Sequence, residues 1–208
     1  IGWAYLYACI FYQLVKGNAL AMFIIMLALS AFYMVAHTES LVNNYNLHWM
    51  RSQSGNAAHC SIVVAGMILA AIFFNDKNYS INKRYITAAV FTLILLIAGY
   101  AIRPYFKISK IYATPTWCFY SAATCCIIFM LLYWLIDIKG ISKWTGFFKP
   151  AATNPLLSYI IPAFIFAITG LLNIHLFPSR LQYGWPGILW SLFFAIAVMY
   201  IVKGLNNL

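Results

Sequence analysis

Residues 111–136 read IYATPTWCFYSAATCCIIFMLLYWLI, 26 positions without a charged side chain, bounded by Lys110 and Asp137. About 20 apolar residues suffice for one helix to cross a bilayer. Working outward, the pattern recurs. Uncharged runs at 17–38, 52–75, 85–102, 150–179 and 181–202 measure 22, 24, 18, 30 and 22 residues, after an opening run of 15. Hydrophobic residues make up 64% of the 208 and charged ones 8%, against roughly a quarter charged in an ordinary soluble domain. The chain reads as all-α: a polytopic transmembrane helical bundle of about seven spans, forming a single transmembrane domain over 1–208.

The expected spans are Ile1–Val15, Ala19–Ala36, Ala57–Phe74, Tyr85–Ile102, Pro115–Ile136, Pro155–Ile174 and Gly187–Val202. Arg103-Pro104 should stop the fourth, and Pro115 suits the first turn of the fifth. Asn154 is placed to cap the sixth, and the turn-rich Tyr183-Gly184-Trp185-Pro186-Gly187 precedes the seventh. The fourth and seventh are short, which predicts a thin or tilted arrangement. The start at Ile1, inside an apolar run with no initiator Met, basic segment or cleavage site, predicts further helices upstream and hence a larger bundle.

The net charge of +10 would suggest nucleic acid in a soluble protein. Here the cations fall singly or in small groups between apolar runs, as in membrane loops, so nucleic acid is excluded as a partner. Eight of them (Lys16, Lys77, Lys83, Arg84, Lys139, Lys143, Lys149, Lys203) fall on one side and five (Arg51, Arg103, Lys107, Lys110, Arg180) on the other. The positive-inside rule then places the C-terminus in the cytoplasm of a bacterial inner membrane protein and loops 37–56, 103–114 and 175–186 outside. The five cysteines have no CxxC spacing and read as small apolar packing residues; no metal site is expected.

No span carries an ionisable residue near its middle, which argues against an ion-coupled carrier. Gln13, Ser30, Thr124, Ser158 and Thr169 are the main polar groups at depth, and helix–helix hydrogen bonding accounts for them. The third span has a small-residue ladder, Ala57, Ser61 and Ala65, with Gly66 and Ala70 beside it, which lets helices approach closely. His59 lies seven residues before Gly66 and so shares its face. It is expected to point into the bundle near the outer surface.

The titratable groups gather on that side: His37, His48, His59, His175 and Glu39. A neutral imidazole takes a proton near pH 7, which makes His59 the candidate catalytic base; an interfacial histidine satisfied by a carbonyl is the structural alternative. Loop 37–59 mixes Glu39, Asn43, Asn44, Tyr45, Asn46, His48, Trp49, Arg51 and Asn56. That mixture suits a sugar, and equally an aromatic belt at the membrane surface. On the other side, Lys139, Lys143 and Lys149, with Lys77, Lys83 and Arg84, could receive a nucleotide phosphate or simply set topology.

One stretch has a familiar order. Lys110-Ile111-Tyr112-Ala113-Thr114-Pro115-Thr116-Trp117 leads into an apolar span ending Asp137-Ile138-Lys139-Gly140, then Trp144, Phe147-Phe148 and Ala152-Thr153-Asn154-Pro155-Leu156-Leu157-Ser158-Tyr159. It resembles the C-terminal part of the heparan-alpha-glucosaminide N-acetyltransferase-like family, including bacterial inner-membrane relatives. Ser54-Gly55-Asn56-Ala57-Ala58-His59, leading to Val64-Ala65-Gly66, is similar to those relatives as well. Lys110, Asp137, Lys139, Gly140 and Asn154 match the family pattern. Ala152-Thr153 stands where that family usually has Gly-Met, and Tyr112-Ala113 where Leu-Trp is common.

The resemblance implies an acyltransferase that moves acetyl from cytoplasmic acetyl-CoA to an extracytoplasmic sugar. Its proposed catalytic histidine would lie upstream of Ile1. In this chain His59 would act as base, with Asn56, Glu39, Arg51, Lys110 and Asn154 near the acceptor and Lys139 and Lys143 toward the acetyl-CoA phosphates. Expected partners are membrane lipid, a sugar acceptor and a second copy in a homodimer. The competing expectation is a non-enzymatic membrane protein, such as a lipid-linked glycan translocator or an assembly subunit.

Overall fold

The computed structural model describes residues 2–46, 48–74, 80–173 and 183–206. Among these every regular element is helical: α1 (Gly2–Leu14), α2 (Ala19–Ala36), α3 (Glu39–Asn44), α4 (His48–Phe74), α5 (Ile81–Ile102), α6 (Pro115–Tyr133), α7 (Lys149–Thr153), α8 (Pro155–Leu171) and α9 (Gly184–Leu205). A π-turn, Trp134–Ile138, extends α6, and a 3-10 turn covers Lys143–Phe147. His175, Asp76, Lys77 and Arg180 lie outside the described residues.

Five apolar helical runs are long enough to cross a membrane: Ala19–Ala36, His48–Phe74, Ile81–Ile102, Pro115–Ile138 and Gly184–Leu205. The expected count of about seven included α1 and α8, whose 13 and 17 residues fall below that length. The fourth and seventh spans are not short, since α5 and α9 each run 22 residues. Ser80 starts α5 four residues ahead of the expected boundary, its hydroxyl accepting from the Lys83 N–H at 3.4 Å. The turn-like Gly184–Gly187 forms the first turn of α9, where Pro186 lacks only an N–H that has no helical partner anyway.

The chain divides into two compact units, Ile1–Trp134 and Leu135–Leu208. In the first unit α4 is central, packing on α1, α2, α5 and α6. In its membrane-length window 56% of residues are buried, against 28% for α2 and α5. Asn18 caps α2 by accepting from the Ala21 N–H at 3.1 Å. The turn before it needs left-handed backbone at Lys16 and Gly17, and a Cβ on Gly17 would meet the Tyr12 hydroxyl at 3.0 Å. The main core joins Met22 and Met26 of α2, Val64, Ile68 and Phe73 of α4, Phe91 and Leu95 of α5, and Phe119 and Ala123 of α6.

The largest departure from expectation lies in 37–56, where the sequence predicts a loop and the structure has helix. Helix α4 begins at His48, so Arg51 and Asn56 are helical. Met50, Ser54, Ala57, Ser61, Val64 and Ile68 are all buried. Their 4-3-4-3-4 spacing places them on one seam of a helix, and that seam runs straight through the polar residues.

The ladder Ala57, Ser61 and Ala65 is buried as expected. Gly66 and Ala70 are exposed instead, because each helical residue advances about 100° around the axis. Ala65→Leu should therefore cost about 1–3 kcal/mol through overpacking. Gly66→Ala enters space with no atom within 4 Å and should gain about 0.5–1 kcal/mol through helix propensity. Unfolding in mixed detergent–SDS micelles measures both; the same sign for the two would contradict this packing.

In the second unit, Leu157, Ile161 and Ile165 of α8 meet Phe194, Val198 and Val202 of α9, one four-residue seam against another. Asn154 sits at the N-cap position of α8, but its side chain makes no cap hydrogen bond. Its Nδ2 donates instead to Asn206 Oδ1. Asn206 Nδ2 in turn donates to the Pro150 carbonyl at 3.2 Å and to Thr153 Oγ1 at 3.3 Å. This clasp ties α7 and α8 to the end of α9.

Candidate functional site

In the first unit α2 and α5 end where α4 and α6 begin, and this cap end carries most of the expected site residues. Arg51 Nε donates to the Ala36 carbonyl at 3.1 Å, pinning the start of α4 to the end of α2. Tyr33, 2% exposed, donates its hydroxyl to the Tyr112 carbonyl at 2.8 Å and meets Phe106 edge-on with centroids 5.9 Å apart. His37 stacks on Tyr33 at 4.1 Å, and its Nδ1–H donates to the Tyr33 carbonyl at 3.0 Å. Ala58, Ala113 and Cys118 complete this buried cluster, with the Cys118 thiol donating to the Ala58 carbonyl at 3.4 Å.

His59 is half-buried on α4. Its Nδ1 lies 2.7 Å from the Gly55 carbonyl oxygen. A carbonyl only accepts, so Nδ1 carries the proton, and Nε2 of the neutral ring keeps its lone pair. The ring meets Trp117 of α6 edge-on with centroids 6.1 Å apart. His59 thus faces α6, as a residue directed into the bundle should, although Gly66 does not share its buried surroundings.

The remaining residues have surroundings of their own, with Asn56 one turn before His59 on α4. Asn56 Nδ2 donates to Gln53 Oε1 at 3.1 Å. Gln53 and Ala57 line an apolar groove of 320 Å³ with Tyr7, Phe11, Leu29 and Phe32. Glu39, in the first turn of α3, and His48, at the start of α4, are exposed. Lys110 is exposed on the 103–114 segment. Asn154, Lys139 and Lys143 belong to the second unit, where both lysines are exposed. Lys149 and Lys203 flank a groove of 240 Å³ with Thr153 and Asn206.

The 103–114 segment owes its order to residues that sequence reasoning passed over. Thr114 Oγ1 donates to the Lys107 carbonyl at 2.8 Å and accepts from the Ser109 N–H at 3.1 Å. Thr116 Oγ1 donates to the Phe106 carbonyl, and Ser109 Oγ accepts from the Tyr112 N–H at 3.3 Å. With Tyr33, three side-chain hydroxyls hold three consecutive-region carbonyls (106, 107 and 112), so the segment is a fixed structure. The threonines flanking Pro115 were the available signal, since hydroxyls beside a helix start often bond to nearby backbone. Cys60, Cys118 and Cys126 are buried, whereas Cys125 is exposed, so packing describes three of the five thiols well. No protein-family model, curated protein or solved structure matches this chain.

Proposed function

We propose that the chain is part of an inner-membrane acyltransferase that passes an acetyl or related acyl group from acyl-CoA to a sugar amine or hydroxyl on the far side. The carrying observation is the His59 hydrogen bond to Gly55, which leaves Nε2 as the basic nitrogen. In the reaction the acceptor nitrogen or oxygen bonds to the acyl carbon as its proton passes to Nε2. The C–S bond of the thioester breaks, and coenzyme A leaves as the thiolate. Trp117 offers an aromatic face for a sugar ring beside the base, and Asn56 and Lys110 offer donors to its hydroxyls. The exposed Lys139 and Lys143 of the second unit are cations of the kind that receive a nucleotide phosphate. The heparan-alpha-glucosaminide N-acetyltransferase-like resemblance supports the same assignment.

In this reading α1 and α8 also cross, giving seven passages. Their lengths of about 20 and 26 Å at ~1.5 Å per residue suit a tilted, locally thinned bilayer better than a core of about 30 Å. The lysine bias puts the C-terminus in the cytoplasm. A homodimer is the oligomer we expect.

A second reading, a non-enzymatic translocator or assembly subunit, is favoured by Arg51 and Asn154. Their side chains are engaged in helix clasps rather than left for substrate. Acetyl-CoA binding to the purified protein, followed by transfer of labelled acetyl to glucosamine, separates the two. Binding with transfer supports the enzyme; absence of binding supports the second reading.

A further inference from the structure

We infer that the groove at the end of α5 holds the phosphate of an anionic bilayer lipid, with one acyl chain lying along α5. The groove measures 820 Å³ and is lined by Tyr100, Ala101, Arg103, Pro104, Lys107 and Ile108. The 103–114 segment carries three cations, Arg103, Lys107 and Lys110, and no acid. Among the described residues the side chains of Arg103 and Lys107 make no hydrogen bond or ion pair. Yet the backbone that presents them is pinned through the carbonyls of Phe106, Lys107 and Tyr112. Ordered backbone holding two unpartnered cations beside one groove favours a bound anion, because only the two side chains, and not the segment that carries them, remain to be ordered on binding.

The rest of the lining selects a lipid over a free anion. Val90, Leu93, Ile97 and Tyr100 are 51%, 56%, 58% and 73% exposed. Their 3-4-3 spacing lines them up on one face of α5, an apolar track that runs from mid-helix to the groove. A chain on that track brings its headgroup phosphate to Arg103 and Lys107, which donate charge-assisted hydrogen bonds to it. This inference is independent of acyl transfer.

The test is native mass spectrometry of the protein released from nanodiscs of phosphatidylglycerol mixed with phosphatidylcholine. One retained phosphatidylglycerol per chain is expected. Arg103→Gln with Lys107→Gln should lower its occupancy about tenfold or more, because both the surface attraction of two cations for an anionic headgroup and their hydrogen bonds to its phosphate are lost. Lys16→Gln with Lys203→Gln, an equal loss of charge elsewhere, should leave occupancy unchanged. Equal loss in both double variants, or equal retention of phosphatidylcholine, would overturn the site. Displacement of the lipid by millimolar inorganic phosphate would overturn the lipid source. In the unaltered protein a photoactivatable phosphatidylglycerol with its label on the acyl chain should mark Leu93, Ile97 or Tyr100, and labelling confined to other helices would refute the proposal whatever the variants do.

Discussion

Phe73→Ala is expected to be the most damaging single truncation in the first unit, costing about 3 kcal/mol. Phe73 is fully buried at the end of α4, where three aromatic rings from two other helices converge. Its centroid lies 5.6 Å from Tyr85 of α5, 5.0 Å from Phe129 and 4.8 Å from Tyr133 of α6. Tyr85 is itself held, its hydroxyl donating to the Met130 carbonyl at 2.9 Å. Truncating a buried Phe in a water-soluble core costs about 3–5 kcal/mol. Between lipid-facing helices no water-exclusion gain is lost, because lipid tails are as apolar as the core. The lower end of that range is therefore expected, made up of the cavity and the lost edge-to-face contacts, which are worth about 0.5–1.5 kcal/mol per pair. Phe73→Leu should retain about half the packing. Refolding equilibria in mixed micelles read both, and a cost for Phe73→Ala no larger than for Phe74→Ala, whose ring is 62% exposed, would contradict the structure.

His59 carries the second large effect. Under the acyl-transfer proposal His59→Ala should lower transfer by about 10²–10⁴-fold, the usual contribution of a positioned base. Loss of activity alone would also follow from a disturbed α4, and His59→Asn separates the two causes. An Asn amide can reproduce the bond that Nδ1 makes to the carbonyl four residues back, but it has no basic nitrogen. His59→Asn should therefore melt within a degree or two of the parent and still transfer as poorly as His59→Ala. If His59→Asn restores transfer, the ring is a structural group and the base of the reaction lies elsewhere.

The helices were easiest to read where a charge or a proline bounded an apolar run. Ala19–Ala36 coincides with α2, and Pro115 opens α6 as expected. The start of α4 was lost because Arg51, Ser52, Gln53 and Asn56 outweigh the buried seam in any count of hydrophobicity. The information was there as spacing, through Met50, Ser54 and Ala57. Gly66 misled for the opposite reason, since neighbouring Ala65 in sequence does not mean sharing its direction on a helix. The inward position of His59 was readable. Its Trp117 neighbour was not, nor was the Tyr33–Tyr112 pairing, because contacts between distant segments leave no local period. Of the expected site, His59, Asn56 and Arg51 fall on the same helix, Glu39 and Lys110 are exposed, and the Asn154 side chain bonds to Asn206.

The Tyr33 bond has a consequence in time. Its acceptor lies 79 residues further along the chain. At a synthesis rate of roughly 5–20 residues per second, Tyr33 waits about 4–16 s after it is made before Tyr112 exists. Helix α4, which supplies the seam for α2, is complete well before then. The α2–α4 pair can thus assemble first, with the Tyr33 hydroxyl still turned to water or headgroups, and the 103–114 segment closes over it as a late step of insertion. A ribosome stalled before residue 112 would hold the protein with its cap end open, and in that interval Tyr33 and His37 are the groups within reach of a chaperone or a chemical probe.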